Sequence, residues 1–336
     1  MTTKNSQKID FAVGGQAVIE GVMMRSQNFV TIAVRKSEGG IIEKDENFKS
    51  LTTRIKLFGI PLVRGVVNLV EMMILGMRML NYSAAQSMAD ESPEKNEKET
   101  VTSKTEKSDE KPKKLEKFGM MVSFALSLAF SLGMSLFLFK FLPLWITDYL
   151  SKSYPVLNQN YLYYNLIDGI IKTTFFVVYI ALLGLLPSLH RVFQYHGAEH
   201  KSIFTYEKGL ALNTENAKKM TRFHPRCGTS FILVVFLLSI FIYTFIPKQP
   251  DFWVNFAVRV AFLPLVAGIS YEVLKWSAKY SENPLVKMIT MPGLLFQRIT
   301  TQEPTDDQLE VALTALRKAL ELEENRLATV PAVDVH

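Results

Sequence analysis

Four long apolar runs constrain the fold of this chain more than any other feature. They cover residues 118–144, 166–187, 229–247 and 253–274, and each is long enough to cross the roughly 30 Å hydrocarbon core of a bilayer at about 1.5 Å per residue. Because lipid offers the backbone no hydrogen-bonding partner, such runs cross membranes as helices. With 48% apolar residues and 23 phenylalanines, the sequence predicts a mainly α membrane protein with about four transmembrane helices.

Basic residues are distributed unevenly between these runs. The connections 144–165 and 248–252 contain only Lys152 and Lys248, whereas residues 188–228 contain seven lysines and arginines. Because short loops rich in lysine and arginine stay on the cytosolic side of a membrane, we expect residues 188–228 and both termini in the cytosol. The chain is therefore interpreted as a multi-pass protein of the cell membrane, with the lipid bilayer as its first partner.

A short N-terminal segment has a different pattern. Residues 10–56 alternate apolar and polar side chains between turn signals such as Gly14-Gly15 and Gly39-Gly40. An alternation with a period of two predicts β-strands joined by tight turns. We interpret the segment as a small cytosolic β-meander.

A polar stripe follows the helix that is predicted for residues 57–82, in which Pro61 lies in the first turn. The members of the stripe recur at helical spacing and lie on one side: Arg64, Asn68, Glu71 and Arg78. Because charge that faces lipid is costly, this helix either lies in the membrane interface or turns its stripe toward protein or a wet cavity. We interpret it as an amphipathic interfacial or re-entrant helix.

Two further segments lie outside the apolar runs. Residues 83–117 consist largely of Ser, Glu, Lys, Thr and Asp, a composition that buries too little apolar surface to fold, so a disordered charged linker is predicted. Residues 275–336 are interpreted as a cytosolic helical region. There Thr305 and Gln308 have the spacing of a capping box, and an amphipathic helix is expected from that point to about Arg326, packed on the cytosolic domain or on a partner.

The pentad His196-Gly197-Ala198-Glu199-His200 follows the second apolar run. On a helix, positions i, i+3 and i+4 share one face, so two imidazoles can bind one metal ion while a carboxylate stands beside it as a base. Four of the five histidines, at 190, 196, 200 and 224, lie in one stretch with the single cysteine, Cys227. This clustering predicts a site for a divalent metal ion, in the first place zinc.

A tetrahedral catalytic site needs a third protein ligand and an open position. His224 and Cys227 precede the third apolar run, which returns antiparallel to the second, so both reach the same face as the pentad. Cys227 could instead be a nucleophile beside His224. Glu199 is the expected catalytic base; alternatively it is a solvated carboxylate that pairs with Lys201 or Arg191.

Three more ionisable residues are candidates for orienting the metal ligands from outside. Glu20 stands among glycines in the β segment, Glu272 ends the fourth apolar run, and His190 lies shortly before the pentad. In a simpler interpretation, interfacial histidines and arginines only anchor helices in the lipid headgroups.

Three motifs resemble those of the YqhQ-like family: Gly-Gly-Gln-Ala-Val-Ile-Glu-Gly-Val-Met-Met-Arg at 14–25, His-Gly-Ala-Glu-His-Lys at 196–201 and His-Pro-Arg-Cys-Gly-Thr-Ser at 224–230. The resemblance continues through 268–272 and 291–294 and so covers nearly the whole chain apart from the linker. It implies an integral membrane protein of unknown function, described as a predicted metal-dependent enzyme. It also implies that the histidines, the glutamate and the cysteine of the last two motifs form one set.

Two functions are compatible with these features. The first is a cytosol-facing metal-dependent enzyme, a zinc hydrolase in which His196 and His200 bind the metal, His224 or Cys227 completes the site, and Glu199 is the base; its substrate would be a membrane-associated peptide or lipid. The alternative is a non-enzymatic membrane scaffold or a transport-related protein with a structural or sensing metal site and a protein partner. Nucleic acid is not expected as a partner, because topology and linker account for the net charge of +6.

Overall fold

The computed structural model describes residues 13–91, 114–225, 227–280 and 283–329. These residues form two compact units. The first unit contains residues 13–91, 180–234 and 267–329, and the second contains residues 114–179 and 235–266.

The helices of the described chain are, in order, α1 (Leu51–Arg54), α2 (Val63–Glu91), α3 (Lys114–Leu136), α4 (Leu142–Ser153), α5 (Pro155–Gln159), α6 (Tyr161–Leu183), α7 (Pro187–Glu207), α8 (Thr214–Lys218), α9 (Gly228–Thr244), α10 (Phe252–Ala261), α11 (Leu263–Lys279), α12 (Pro284–Thr300) and α13 (Asp306–Thr329). A 3₁₀ turn covers Lys56–Gly59, and a π-helical turn, Phe137–Phe141, joins α3 to α4.

An antiparallel four-stranded meander begins the first unit. Its strands pair in sequence order: β1 (Gly14–Val18), β2 (Gly21–Arg25), β3 (Phe29–Arg35) and β4 (Ile41–Asn47). The predicted β-meander is therefore confirmed, and residues 10–12 of the predicted segment lie outside the described residues.

Both faces of the central strands are covered by helices. On one face, Val22 and Ala33 pack in a cluster with Leu313 of α13. On the other face, Met23 packs in a second cluster with Met79 of α2. Because each fully buried side chain of this size stabilises the fold by about 1.5–3 kcal/mol, the small sheet depends on both layers of helices.

The C-terminal helix begins with the predicted capping box. The backbone N–H of Thr305 donates to Gln308 Oε1 at 2.9 Å, and the N–H of Gln308 donates to Thr305 Oγ1 at 3.4 Å. This reciprocal pair satisfies donors that the first helical turn leaves free. Helix α13 then packs its apolar face on the sheet and on α7. Of the two predicted alternatives, packing on this chain or on a partner, the structure has the first.

Three helical segments are long and apolar enough to cross a membrane: Leu126–Ser153, Tyr161–Leu183 and Phe252–Ser277. The remaining predicted run, 229–247, forms α9, which has 17 residues. At about 1.5 Å per residue this helix is roughly 26 Å long, slightly less than the hydrocarbon thickness of a typical bilayer. Three of the four predicted spans are confirmed in length and composition; the fourth crossing and the cytosolic location of the termini stay predictions.

Several ionisable side chains of the second unit lie together in one network. Arg259 Nη1 donates to Asp168 Oδ2 at 2.9 Å, and Lys172 Nζ lies 4.0 Å from the same carboxylate oxygen. Lys140 Nζ donates to the hydroxyl of Tyr243 at 2.9 Å, and this hydroxyl donates to the carbonyl oxygen of Arg259 at 2.8 Å. Residues that the sequence distributes over four apolar runs are thus neighbours.

Helix α2 differs at its start from the helix predicted for residues 57–82. It begins at Val63, so the prediction that Pro61 lies in the first helical turn is wrong. Leu62 adopts a φ of 71°, and this left-handed conformation separates the preceding turns from the helix.

The predicted disordered linker, residues 83–117, is wrong at both ends. Residues 83–91 continue α2, and residues 114–117 belong to α3. Alanine, glutamine and methionine at 84–88 are good helix formers, which explains why α2 outlasts its apolar stretch. Residues 92–113 of the predicted linker lie outside the described residues.

The polar stripe of α2 contacts protein. Arg64 pairs with Glu272 of α11, and Arg78 pairs with Glu46 of β4 at 2.6 Å. Asn68 Nδ2 also reaches α11, where it donates to a tyrosine hydroxyl at 2.8 Å. The stripe therefore faces protein, which is one of the predicted alternatives. A position of α2 in the membrane interface stays a prediction.

Glu323 attaches α13 to the turn between β2 and β3. Its Oε1 accepts from the hydroxyl of Ser26 at 2.8 Å and from the backbone N–H of Asn28 at 2.7 Å. The residue is completely buried. Burial opposes its ionisation, but the hydrogen bonds from Asn28 and Ser26 outweigh burial and lower the pKa of Glu323.

We predict that Glu323→Ala lowers the free energy of unfolding by about 3 kcal/mol, because buried donors lose their acceptor. Since the folded pKa is lowered, this stabilisation is present above the unfolded pKa of about 4.3 and is lost as the pH falls through the folded value. Thermal unfolding of the purified chain in detergent measures the change. Glu324→Ala, at the exposed neighbouring position, is the control, and an equal loss in both variants would contradict the prediction.

Candidate metal centre

The pentad lies in the middle of its own helix. Helix α6 ends at Leu183, and α7 begins at Pro187, where proline suits the first turn because its fixed φ is already helical. The pentad is therefore helical, as its spacing predicts, and the segment 188–228, interpreted as a cytosolic loop, is helical over residues 188–207. Helix α7 packs against β1 and α13, which buries Glu199 and His200 to 4% and 1% exposure.

Three side chains of this region converge on one point. His196 Nε2 lies 3.2 Å from Cys227 Sγ, and the ring centroids of His196 and His200 are 4.5 Å apart. One ligand atom from each of His196, His200 and Cys227 lies within 4.8 Å of the other two. These three residues could hold a metal ion.

Backbone carbonyls orient both imidazoles. His196 Nδ1 is 2.8 Å from the carbonyl oxygen of Thr300, and His200 Nδ1 contacts that of Arg222. Because a carbonyl only accepts, each Nδ1 carries the hydrogen, so the lone pair is on Nε2, the atom that points to the shared centre. Metal-binding histidines are commonly held in this way by a partner on the second ring nitrogen.

The Nε2 atom of His200 is buried and has no hydrogen-bond partner in the described chain. Leaving a buried acceptor unsatisfied costs about 1–3 kcal/mol. Burial also lowers the pKa of His200, although the nearby thiol of Cys227 opposes this shift. The neutral form, which is the form that binds metals, is therefore favoured.

Cys227 reaches the centre from the start of α9. Its sulfur lies 3.0 Å from the hydroxyl of Thr229 and accepts from the backbone N–H of the same residue at 3.4 Å. The sulfur therefore has its position fixed by the first turn of α9 and its open side toward His196.

Glu199 stands beside the three converging residues. Its Oε2 lies 3.6 Å from His200 Nε2 and 4.0 Å from His196 Nε2. Burial raises the pKa of Glu199, against the influence of His196 and His224 and of a hydrogen bond from the N–H of Gly15. The alternative of a solvated carboxylate is wrong, because a side chain of α7 at this position faces the sheet.

The proposed ion-pair partners of Glu199 are engaged elsewhere. Lys201 pairs with Glu303 and donates to the carbonyl oxygen of Lys218 at 3.2 Å. Arg191 pairs with Glu20 in the turn between β1 and β2.

His224 lies next to the converging residues but turns its ring to a different partner. Its Nε2 is 3.3 Å from a carboxylate oxygen of Glu207, and its ring centroid is 5.6 Å from that of His200. Gln297 holds its backbone, with Oε1 accepting from the N–H of His224 and Nε2 donating to its carbonyl oxygen, both at 2.7 Å. Cys227, not His224, is therefore the third residue of the group.

Comparisons with known proteins agree with this chain's motifs. Residues 60–322 match the family described as "Protein of unknown function (DUF1385)". The chain belongs to the DUF1385 family. It is also 34% identical over 323 residues to the uncharacterized protein YqhQ of Bacillus subtilis (strain 168), an alignment that covers 95% of both chains. The resemblance to a YqhQ-like family is thus confirmed. No solved structure matches the chain.

Three candidate orienting residues of this DUF1385 chain contact other parts of it. Glu20 accepts from Arg191 Nε at 2.6 Å. Glu272 accepts from Arg64 Nε at 2.7 Å. His190 is exposed on α7. The structure does not bring these three together with the group, and within the described residues carbonyls of 222 and 300 orient the histidines instead.

Sequence reasoning missed several residues that shape this site. Gly15 is the most informative, because a Cβ atom there would lie 2.7 Å from Glu199 Cγ and 2.8 Å from the carbonyl oxygen of Met23. Its glycine motif was a visible signal of close approach. The backbone carbonyls of Arg222 and Thr300 could not be predicted from the sequence, because every residue has one. The side-chain amide of Gln297 could not be told apart from those of the other Asn and Gln residues.

We predict that Gly15→Ala destabilises the DUF1385 chain by about 1–3 kcal/mol, the usual cost of forcing a methyl group into a packed core. Gly14→Ala is a matched control on the same strand, because a Cβ there meets nothing within 4 Å. Thermal unfolding in detergent compares the two variants. Equal unfolding temperatures for Gly15→Ala and wild type would show that Glu199 is not held against β1.

Proposed function

We propose that this chain is a membrane-embedded, metal-dependent enzyme, a zinc hydrolase whose site faces the cytosol and acts on a membrane-associated peptide or lipid. The observation that carries the proposal is the convergence of His196, His200 and Cys227 with the carboxylate of Glu199 beside them. Catalytic zinc sites have three protein ligands and one position for water, and the carboxylate of Glu199 stands beside such a set of three.

The chemistry of the residues fits zinc. Two imidazole nitrogens and one sulfur form a donor set that suits zinc. Magnesium and calcium instead take oxygen ligands. The buried Nε2 of His200 has no hydrogen-bond partner in the described chain, and a bound cation would satisfy it. A thiol and imidazole pair acting as a nucleophile would leave this atom unexplained.

Glu199 has the properties of a general base at this site. When bound, zinc acts as a Lewis acid and lowers the pKa of water toward neutrality. The pKa of Glu199 is raised by burial, which brings its proton affinity closer to what transfer near neutral pH requires. The N–H of Gly15 positions the carboxylate, so Oε2 can accept a proton within the reach of the two histidines.

The surroundings of α7 support a membrane-associated substrate. Only three residues separate α7 from the end of α6, one of the segments able to cross a membrane. Two of these three, Leu185 and Leu186, are large apolar residues with 77% and 50% exposure. Exposed leucines beside a span suit the interface of a bilayer.

A structural or sensing metal site is the second candidate function. The distances of 3.6 Å and 4.0 Å from Glu199 Oε2 to the two Nε2 atoms favour it, because a small movement would make this oxygen a fourth ligand. A site with four protein ligands is closed and structural, whereas a catalytic site keeps one position for water.

We predict one zinc ion per wild-type chain and its loss in His196→Ala, His200→Ala and Cys227→Ser. His224→Ala is expected to retain the metal, because its ring faces Glu207. His190→Ala, exposed on the same helix, is the control. Elemental analysis of protein purified in detergent measures the content, with unfolding temperatures to identify misfolded variants. Wild-type protein without stoichiometric metal would reject the site.

A second prediction separates the two functions. Glu199→Gln keeps an acceptor for the N–H of Gly15 but cannot take a proton, so a catalytic site should retain its zinc and lose at least about 100-fold in activity, the usual effect of a general base. Complementation of a strain that lacks the gene reports on function while elemental analysis reports on metal. Loss of metal together with function would favour the closed structural site.

A further inference from the structure

A cavity of about 430 Å³ lies in the first unit beside the segment that joins β4 to α2. Its lining includes two cations, Arg25 and Lys49, together with hydroxyl and amide side chains and one aromatic ring, and it includes no carboxylate. A concave site of this size can hold a small polar group, and the charge of its lining selects an anion.

Arg25 is the best placed of the lining residues to bind an anion. Its guanidinium stacks on Phe48 at 4.2 Å, and its Nη1 donates to the sulfur of Met72 at 2.7 Å. A thioether is a weak acceptor, and no carboxylate in the described chain lies within ion-pair distance of Arg25. The guanidinium therefore has strong donors left for a ligand.

Glu71 does not form an ion pair with Arg25, although it lies behind the lining residue Ser50. Its Oε2 accepts from the hydroxyl of Ser50 at 2.6 Å, and its Oε1 accepts from the N–H of Leu51 at 2.6 Å. The carboxylate is thus bonded to the start of α1. Burial lowers the pKa of Arg25, and Glu71 opposes this only through space.

Large apolar side chains are exposed on the same segment that contributes Thr52 and Thr53 to the cavity lining. They belong to the segment 51–63 and are all at least 39% exposed: Leu51, Ile55, Leu57, Ile60, Leu62 and Val63. Met73 and Ile74 of α2 are also exposed, at 56% and 57%. In a chain that carries membrane-spanning segments, such a surface beside basic residues is typical of contact with the bilayer interface.

We propose that this cavity binds the phosphate of an anionic phospholipid, with Arg25 and Lys49 as its cationic contacts and the apolar side chains of 51–63 against the acyl chains. The amphipathic chemistry of a lipid accounts for both observations, a cation-lined cavity and exposed apolar side chains on the segment that contributes to its lining. A soluble phosphate compound accounts only for the first. This site shares no residue with the metal group, and the proposal does not depend on a bound metal.

The test uses the full chain in detergent, titrated with phosphatidylglycerol or with phosphatidylcholine of the same acyl chains, and counts bound lipid by native mass spectrometry. The wild type is expected to bind phosphatidylglycerol about tenfold more tightly than phosphatidylcholine. Arg25→Gln should lose this preference. Equal affinity for both lipids in the wild type, or an unchanged preference in Arg25→Gln, would overturn the proposal.

Two further variants guard against misfolding. Lys49 is exposed, so Lys49→Gln is expected to fold normally and to reduce the preference severalfold. Lys36→Gln, outside the cavity lining, should leave it unchanged. An equal reduction by Lys36→Gln would assign the preference to general surface charge and reject the site.

A competition experiment distinguishes the two sources of a phosphate group. Inorganic phosphate and glycerol 3-phosphate are expected to displace phosphatidylglycerol only at concentrations at least about a hundred times higher, because they lack the acyl chains whose burial adds to the affinity. Displacement by either compound at concentrations similar to that of the lipid would reject a lipid and identify a soluble phosphate ligand.

Discussion

The burial of the Glu199 carboxyl between α7 and β1 is the constraint on which the rest of the first unit depends. A carboxyl and two imidazoles lie within the packed layer that joins sheet and helices, and such groups are stable there only when their neighbours supply hydrogen bonds or charge. The N–H of Gly15 meets this need for the carboxyl, and the carbonyl oxygens of residues 300 and 222 meet it for the two imidazoles. These groups come from β1, from the segment before α9 and from α12, so forming the site and assembling the unit are one process.

The sequence predicted the elements whose signals are local. The capping box of Thr305 and Gln308 specified the start of α13, and strand alternation specified the meander. Prediction from the sequence failed where contacts between distant parts of the chain determine the backbone conformation. Leu62 adopts a left-handed φ that no local rule requires of leucine, and α2 extends beyond its apolar stretch. The sequence also could not predict that α7 and α13 cover one face of the sheet, because the two helices are far apart along the chain.

At the site, helical spacing was sufficient for His196, Glu199 and His200, since positions within one turn must share a face. The third member required knowledge of the loop before α9. His224 and Cys227 are only three residues apart, and the pairing of Gln297 with the backbone of His224 turns that imidazole to Glu207 and leaves the sulfur facing the centre. A side chain on another helix thus decides between two candidates that are equivalent by spacing.

The network of Asp168, Lys172 and Arg259 in the second unit has a consequence for biogenesis. A single charged residue at the middle of an inserting helix costs about 2.5–3.5 kcal/mol, and α6 and α10 each carry at least one. The two charges of α6 lie 4.0 Å apart on one helix, whereas the carboxylate that neutralises Arg259 of α10 is on α6, which is made earlier in translation. Where these helices cross a membrane as predicted, low-cost insertion of α10 therefore depends on Asp168 of α6 being already in place.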